Sequence, residues 1–105
     1  MFRGLFFSDD GFMFSMGLMR PNSRGEVKLR SSDPKIYPSI IYNYFESEHD
    51  RKAMINGFRL TRKIANQKAF DCFRKYEIAP GIDVTTDNEI LNWIVANVSS
   101  EYHPC

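Results

Sequence analysis

The sequence predicts a single α+β domain in which an antiparallel sheet comes first and helices pack on one of its faces. Two observations carry this prediction. Apolar residues alternate along the chain in the first half of its 105 residues, and they recur at helical spacing in the second half. Strands grouped before helices, instead of alternating with them, are typical of α+β architectures. A chain of this length forms one domain at most, so residues 1–105 are treated as one unit.

Three strands are predicted in the first half of the chain. The first is Phe12–Met19, where apolar side chains occupy alternate positions. A turn-rich segment joins it in a hairpin to the second strand, Glu26–Arg30, whose Val27 and Leu29 are expected to face inward. The third strand, Ser39–Phe45, carries apolar residues on both faces, which is typical of a central or covered strand.

The first predicted helix runs from about His49 to Phe73. Ser47 can cap its N-terminus, and Met54 and Phe58 belong to a row of side chains that faces the core. Cys72 near its end is expected to be a small core residue. The opposite side is basic, and a solvated outer face is a better interpretation of it than a phosphate-binding stripe; its residues include Arg51, Lys52, Arg59, Arg62 and Lys63.

The second predicted helix ends at about Val98. It opens with a capping box formed by the sequence Thr86-Asp87-Asn88-Glu89, in which the first and fourth side chains bond to each other's backbone N–H groups. The helix leads directly into the C-terminal residues 99–105.

Composition argues against several classes of protein. The net charge of +1, from 14 basic and 13 acidic residues, provides no long-range field for nucleic acid, so no nucleic-acid partner is expected. Cys72 and Cys105 do not make a disulfide framework, which favours a reducing, cytoplasmic setting. No stretch approaches the roughly 18 consecutive apolar residues that a membrane span requires.

His103 is the candidate catalytic residue. It stands between Tyr102, an aromatic neighbour, and Pro104, which fixes the chain after it. Imidazole has an unperturbed pKa of about 6.5, which suits proton exchange with an alcohol. A lone histidine near a terminus is more often structural, so the residue types permit a catalytic role without establishing it. With His49 it lacks a third ligand, and no metal site is expected.

The order of motifs along residues 11–105 resembles the C-terminal domain of the glucose-methanol-choline (GMC) family of FAD-dependent alcohol oxidoreductases, and most of all its bacterial choline dehydrogenases. The glycine-rich dinucleotide fingerprint of that family is absent from this sequence. The motifs that carry the resemblance are Arg20-Pro21-Asn22-Ser23-Arg24-Gly25, Asp33-Pro34, Asn43-Tyr44, Glu77-Ile78-Ala79-Pro80-Gly81, Thr86-Asp87 and Tyr102-His103-Pro104.

The resemblance implies that residues 1–105 are a substrate-binding portion whose FAD-binding domain lies elsewhere in the same protein. The whole protein is then expected to oxidise a primary alcohol such as choline to an aldehyde by hydride transfer to FAD. His103 matches the catalytic position beside the cofactor, Pro104 adjoins it, and Tyr102 lines the substrate pocket, where its ring can attract a quaternary ammonium group. The piece alone is expected to bind no FAD and to be inactive.

Two alternatives to this interpretation remain open. One is a free-standing interaction or ligand-binding module, and the other is a small nucleic-acid binder that uses the basic side of the first helix.

The sheet face opposite the helices is expected to be apolar and to cause self-association; it includes Met13, Met19, Ile41 and Phe45. The whole protein is expected in the cytoplasm or associated with a membrane.

Overall fold

The α+β class is confirmed by a computed structural model, which describes residues 11–100 of the chain. Two short strands precede two helices, as the grouping of sequence patterns predicts. A single 3₁₀ turn lies between the helices. The elements are β1 (Glu26–Lys28), β2 (Ser39–Ile41), α1 (Glu48–Ala65), the 3₁₀ turn (Lys68–Phe70) and α2 (Asp87–Asn97).

The core lies between the two helices. Ile90 and Ile94 of α2 are 1% and 3% exposed, and they pack against the buried side chains of α1. The core-facing row of α1 that the helical spacing predicts is confirmed at Met54 and Phe58. Half-buried side chains from the rest of the chain close the periphery of this core; they are Met16, Leu18, Phe45, Val84, Leu91 and Trp93.

The sheet consists of β1 and β2, paired antiparallel with Val27 opposite Ile40. The prediction that Val27 and Leu29 face inward is wrong, because these side chains are 69% and 87% exposed. The alternation of apolar residues correctly marks one face of a strand, but nothing in residues 11–100 covers that face. The same holds for the expected covered strand, since Ile40 of β2 is 50% exposed.

The predicted strand Phe12–Met19 is not a strand in the structure. Among residues 11–100 no neighbouring strand offers it a hydrogen-bonding partner, and its predicted hairpin partner, β1, pairs with β2 instead. Its apolar side chains pack on helical elements, with Met16 and Leu18 against the core. Gly57 of α1 permits a close approach here, because a Cβ at that position would lie 3.3 Å from Met16 Sδ.

The first helix is shorter than predicted and ends at Ala65, with Asn66 as its C-cap. The N–H of Asn66 bonds to the Arg62 carbonyl at 3.0 Å, and the Arg74 guanidinium caps the end by donating to the Ala65 carbonyl. Cys72 therefore follows the 3₁₀ turn instead of lying on a helix. It is exposed, so the prediction of a core cysteine is wrong.

The capping box of α2 is confirmed. Thr86 Oγ1 accepts a bond from the Glu89 N–H at 3.3 Å, and Glu89 Oε2 accepts bonds from the N–H groups of Thr86 and Thr85 at 2.9 and 3.0 Å. These N–H groups, led by that of Thr86, hold the pKa of the Glu89 carboxyl below its ordinary value. The helix ends at Asn97, close to the predicted boundary.

Candidate functional site

The three predicted site residues, Tyr102, His103 and Pro104, lie outside the described residues. The element that leads to them is α2, whose last turn closes with a bond of 2.8 Å from the Val98 N–H to the Ile94 carbonyl. Since Ile94 is buried, this end of α2 is fixed to the core. The structure thus shows the framework in front of the motif, and the roles of the three residues stay predictions.

Residues 21–25, which form the predicted turn, are bound to the N-terminus of α1 by Asp50. The N–H groups of Asn22 and Ser23 each donate a bond of 2.8 Å to the Asp50 carboxylate, one to Oδ1 and the other to Oδ2. The Ser47 N–H donates to Ser23 Oγ at 3.0 Å. Ser47 is the N-cap residue, but its side chain makes no capping bond. The Ser23 hydroxyl, which belongs to the turn, thus provides the hydrogen-bond acceptor for the N–H of the N-cap residue.

Asp50 is 1% exposed, the only charged side chain buried to that degree in residues 11–100. Burial by itself raises the pKa of its carboxyl, but the hydrogen bonds from Asn22 and Ser23 lower it more, so that the pKa lies below its ordinary value of 3.8. The carboxylate is therefore ionised at neutral pH and bonded on both oxygens. It fixes the turn to α1 from the centre of the contact. This structural role requires no direct contact with a substrate.

Gly25 and Asn43 fasten the other end of the turn to β2. A Cβ on Gly25 would clash with the Ile41 carbonyl oxygen and lie 2.9 Å from that of Tyr42, so only glycine fits there. Asn43 Nδ2 donates to the Arg24 carbonyl at 3.1 Å, with the Asn43 backbone in the left-handed region at φ 51°. The turn is thus held by the sheet on one side and by α1 on the other.

A shallow depression of about 500 Å³ lies beside this turn, lined by Met19, Arg20, Pro21 and Arg24. The Arg24 Nη1 group already donates to the carbonyls of Pro21 and Ser23, at 2.6 and 3.0 Å. Neither this open depression nor any glycine-rich turn in residues 11–100 forms a phosphate cradle. The described residues therefore do not by themselves fit FAD.

Arg62 holds the segment 77–84 against α1. Its guanidinium bonds to both carboxylate oxygens of Glu77 at 2.8 to 3.2 Å, and to the carbonyls of Gly81 and Val84 at 2.8 and 2.5 Å. Its Cζ lies 4.5 Å from the centre of the Phe58 ring, which adds a cation–π contact. The planar guanidinium group, with its several N–H donors, suits this arrangement. As a result, the segment 77–84 that leads to α2 is fixed in place.

The basic side of α1 is more structural than the sequence indicates. Arg59 bonds to Asp87 Oδ1 at 2.6 Å, and Arg51 Nη1 donates to the carbonyls of Phe45 and Glu46 at 2.6 Å each. With Arg62, three of the predicted outer-face arginines bind within the chain. The interpretation as a wholly solvated face is wrong for Arg62, which is half-buried. A phosphate-binding stripe is also less well supported, because the guanidinium groups that would be its main donors are bonded within the chain.

Among residues 11–100 no group of three or more histidine, cysteine or acidic side chains is arranged to hold a metal ion. No helix in the described part of the chain is both long and apolar enough to cross a membrane. His49 lies exposed at the start of α1.

Sequence reasoning missed the two carboxylates that organise this framework. In the sequence, Asp50 is an ordinary acidic residue in the first turn of α1, where the helix dipole favours negative charge. Its neighbours in the sequence do not predict that it accepts bonds from Asn22 and Ser23, which lie 28 and 27 positions earlier. Glu77 lies between the two predicted helices, where no helix or strand is predicted. Its pairing with Arg62 spans 15 positions, so no local spacing rule could have found it.

Comparison with known proteins connects this framework to a family. The profile of the C-terminal domain described as GMC oxidoreductase matches residues 21–105. The oxygen-dependent choline dehydrogenase of Pseudomonas fluorescens strain SBW25 is 45% identical over 96 residues, which cover 91% of this chain and 17% of that protein. Those of Chromohalobacter salexigens and Cronobacter sakazakii are 44% and 42% identical over 95 residues, which cover 90% of this chain and 17% of each relative.

The match begins at the turn that Asp50 anchors and runs through both helices to the Tyr102-His103-Pro104 motif. It therefore covers the whole framework described above, although the chain spans only about a sixth of the length of these relatives, 17% in each case. The chain therefore belongs to the GMC oxidoreductase family and corresponds to its C-terminal domain.

Proposed function

We propose that this chain is the substrate-binding C-terminal part of an FAD-dependent oxidoreductase that oxidises choline, a primary alcohol, to the aldehyde. The observation that carries the proposal is the sequence identity of 42 to 45% to proteins named oxygen-dependent choline dehydrogenase, which extends over nine-tenths of the chain. The framework around the Pro21–Gly25 turn and the cap of α2 supports it, because both lie within the matched range.

In this proposal His103 is the catalytic residue. Oxidation of an alcohol to an aldehyde removes a hydride from carbon and a proton from oxygen, and His103 handles the proton at the substrate hydroxyl. FAD supplies the redox chemistry when it is bound by the whole protein. His103 and Pro104 would lie beside the bound FAD, while the residues of this chain would bind the substrate and move its proton.

Tyr102 is proposed to line the substrate pocket. The trimethylammonium group of choline is a large cation of low charge density, and an aromatic ring face attracts such a group without the cost of desolvating a carboxylate. Tyr102 thereby favours choline over neutral alcohols of similar size.

The proposed partners are choline and the FAD-binding domain of the same protein. The 105-residue chain alone is proposed to be colourless and inactive, and to associate with further copies of itself through exposed apolar side chains. Met13, Met19 and Ile41 are 62%, 74% and 44% exposed, whereas Phe45 is half-buried against the core and contributes less. The whole protein is proposed to act in the cytoplasm or at a membrane.

Steady-state kinetics of the full-length, flavin-loaded protein with choline and an electron acceptor test these roles. His103→Ala should lower turnover on the order of 10²–10⁴-fold with flavin still bound, because acid–base assistance is lost. Tyr102→Phe is the matched control, since it keeps the ring and loses only the hydroxyl, and it should change turnover far less. A His103→Ala protein with near-normal turnover would show that His103 is structural, and a full-length protein without flavin would refute the proposed activity.

A stand-alone module without catalysis is the competing function. It predicts that the gene encodes no dinucleotide-binding βαβ unit next to these residues. The 105-residue chain would then bind its ligand without any flavin-containing partner, which titration of the isolated chain with choline can measure.

A further inference from the structure

Residues 12–19 have the alternating sequence pattern of a strand but pair with no strand among residues 11–100, where the sheet consists of β1 and β2 alone. Phe12 and Phe14 nevertheless lie on one side of the chain. Both rings contact the Phe70 ring, at centroid distances of 5.5 and 5.6 Å. Side chains two positions apart share a side when a chain is extended. The segment therefore has the side-chain arrangement of a strand without the hydrogen bonds of a ladder.

Phe12, Phe14 and Phe70 form an aromatic cluster at the edge of the domain, outside the buried core. The Phe12 ring stacks on Phe70 with an interplanar angle of 27°, and Phe14 meets the two rings edge-on, at 87° and 76°. These are favourable geometries for aromatic pairs. Phe12 and Phe14 still remain 45% and 37% exposed. One side of the aromatic cluster is thus open to further apolar side chains.

Residues 5–7, which lie outside the described residues, have the chemistry to cover this side. They are Leu5, Phe6 and Phe7, a short apolar run. The four residues between this run and Phe12 are Ser, Asp, Asp and Gly, all of which favour turns. Hairpin loops commonly have two to five residues, so residues 8–11 are a suitable length to reverse the chain.

The length of the loop determines which side chains meet. An antiparallel pair joined by residues 8–11 places Phe7 opposite Phe12. Two positions further from the loop, Leu5 lies opposite Phe14. Since side chains alternate between the two faces of a ladder, all four share one face, and a loop with one residue more or less would break this match. The register thus directs two apolar side chains to the face that contacts Phe70.

Other exposed apolar side chains do not offer the same fit. Those on the helices, such as Leu60 and Val95, belong to backbone whose N–H and C=O groups are already bonded within the helix. The free edges of β1 and β2 lie further along the chain, and closing a four-residue loop costs less conformational entropy than closing a long one. Residues 12–14 are therefore the favoured partner of residues 5–7.

We propose that residues 5–7 fold back across residues 8–11, pair antiparallel with residues 12–14 and cover the aromatic cluster with Leu5 and Phe7. The short loop holds this segment at a far higher local concentration than a second copy of the chain would reach. A two-stranded hairpin is marginal in water by itself, and packing on the aromatic cluster stabilises this one. The inference does not depend on the proposed function, because the hairpin lies outside the range 21–105 that the family profile matches.

Amide hydrogen exchange of the 105-residue chain, measured residue by residue by NMR, tests this pairing. Facing pairs in an antiparallel ladder alternate between hydrogen-bonded and non-hydrogen-bonded, and the pair that closes the loop is bonded. The amides of Phe12 and Phe14 should therefore exchange on the order of 10-fold more slowly than in the Phe7→Ser variant, as expected for a local structure of low stability. The Met13 amide, which points away from the partner, should change much less.

Two matched variants test the register. Phe7→Ser should abolish the protection, because it removes the ring that covers the aromatic cluster. Phe6→Ser makes the same change one position away, on the opposite face of the proposed strand, and should keep most of the protection. The amides of Ile90 and Ile94 report whether each variant is folded, since both side chains belong to the core between the helices.

A nuclear Overhauser contact between the Leu5 methyl groups and the Phe14 ring, unchanged on dilution, is the second expected result. Three outcomes would overturn the inference. The first is equal exchange of the Phe12 and Phe14 amides in the wild type and the Phe7→Ser variant. The second is protection that disappears on dilution, which would assign the aromatic cluster to a second copy. The third is equal loss of protection in Phe6→Ser and Phe7→Ser, which would show a contact without the alternation of a strand.

Discussion

The helix pair and the sheet of this domain differ in how they meet the requirement to bury apolar surface. The helices face each other, and Ile90 and Ile94 are almost completely removed from water against Phe58 and its neighbours. The sheet leaves Val27 69% exposed. Both regions have clear amphipathic patterns in the sequence, so the difference lies in whether a complementary face is present among residues 11–100.

The domain is thus closed where its two helices face each other and open at its sheet. The turn Pro21–Gly25 joins the two ends, because it bonds to Asp50 on the helical side and packs its glycine on β2. Movement of the sheet would therefore be transmitted to the N-terminus of α1. Polar contacts link the regions where apolar contacts do not.

The largest difference between the regions should appear when equivalent isoleucines are truncated in the 105-residue chain. Ile90→Ala removes a side chain that is 1% exposed and should lower the free energy of unfolding by about 2–5 kcal/mol. Ile40→Ala, which is 50% exposed in the sheet, should cost less than about 1 kcal/mol. Denaturant unfolding followed by far-UV circular dichroism measures both. Equal losses at the two positions would contradict the contrast between a closed and an open end.

A smaller effect should follow removal of the arginine that fixes the entry to α2. Arg62→Ala leaves the Glu77 carboxylate and two carbonyls without their donor, and should cost about 2–3 kcal/mol. This estimate lies between an exposed ion pair and a fully buried one, because the two side chains are 22% and 28% exposed.

Lys63→Ala is the matched control for Arg62→Ala, since its side chain is exposed on the next position of the same helix. It should change stability by no more than about 0.5 kcal/mol. Limited proteolysis adds a local measurement, because the segment 77–84 should be cut faster only in the Arg62 variant. Cleavage at the same rate in both variants would show that Arg62 does not hold this segment.

The smallest of the three effects concerns the polar link between the regions and depends on pH. The folded-state pKa of Asp50 is lowered below 3.8, so its ionised form stabilises the fold above that pH, and the contribution is lost as the pH falls through the lower folded value. Asp50→Asn should therefore be less stable than the wild type at neutral pH, and the difference should shrink below about pH 4.

Thermal unfolding of both proteins at several pH values checks this dependence. The wild type loses further acid-sensitive stability through Glu48 and Glu89, whose pKa values are also lowered, so only the difference between the two proteins isolates Asp50. Asp83→Asn, at an exposed loop position, should change the melting temperature little at neutral pH. A difference for Asp50→Asn that stays constant down to acidic pH would contradict the ionised link.

Local signals predicted the helical end well. The capping box at Thr86 and the row through Met54 and Phe58 depend on contacts within four positions of the sequence, and both are confirmed. The extent of α1 was overestimated because the apolar residues after Ala65 continue its pattern. Its end is decided by Asn66 and by the Arg74 guanidinium, which returns to the Ala65 carbonyl.

The sheet end was predicted less well, since strand assignment depends on partners distant in sequence. Alternation marked Phe12–Met19 as a strand and Leu29 as inward facing, but neither a neighbouring strand nor a covering layer is present in residues 11–100. The motif order that gave the family resemblance is confirmed by the match over residues 21–105, and His103, Tyr102 and Pro104 stay predictions.

The sequence by itself determined the α+β class, the two helices, the cap of α2 and the family, because these depend on short-range periodicity, on capping chemistry and on the order of motifs. Only the tertiary structure decided that Asp50 binds the Pro21–Gly25 turn and that Arg62 holds the segment 77–84. These bonds join positions 15 to 28 residues apart. A charged side chain in a sequence does not reveal which distant N–H group or carbonyl will replace its water, since that is settled only when the chain folds back on itself.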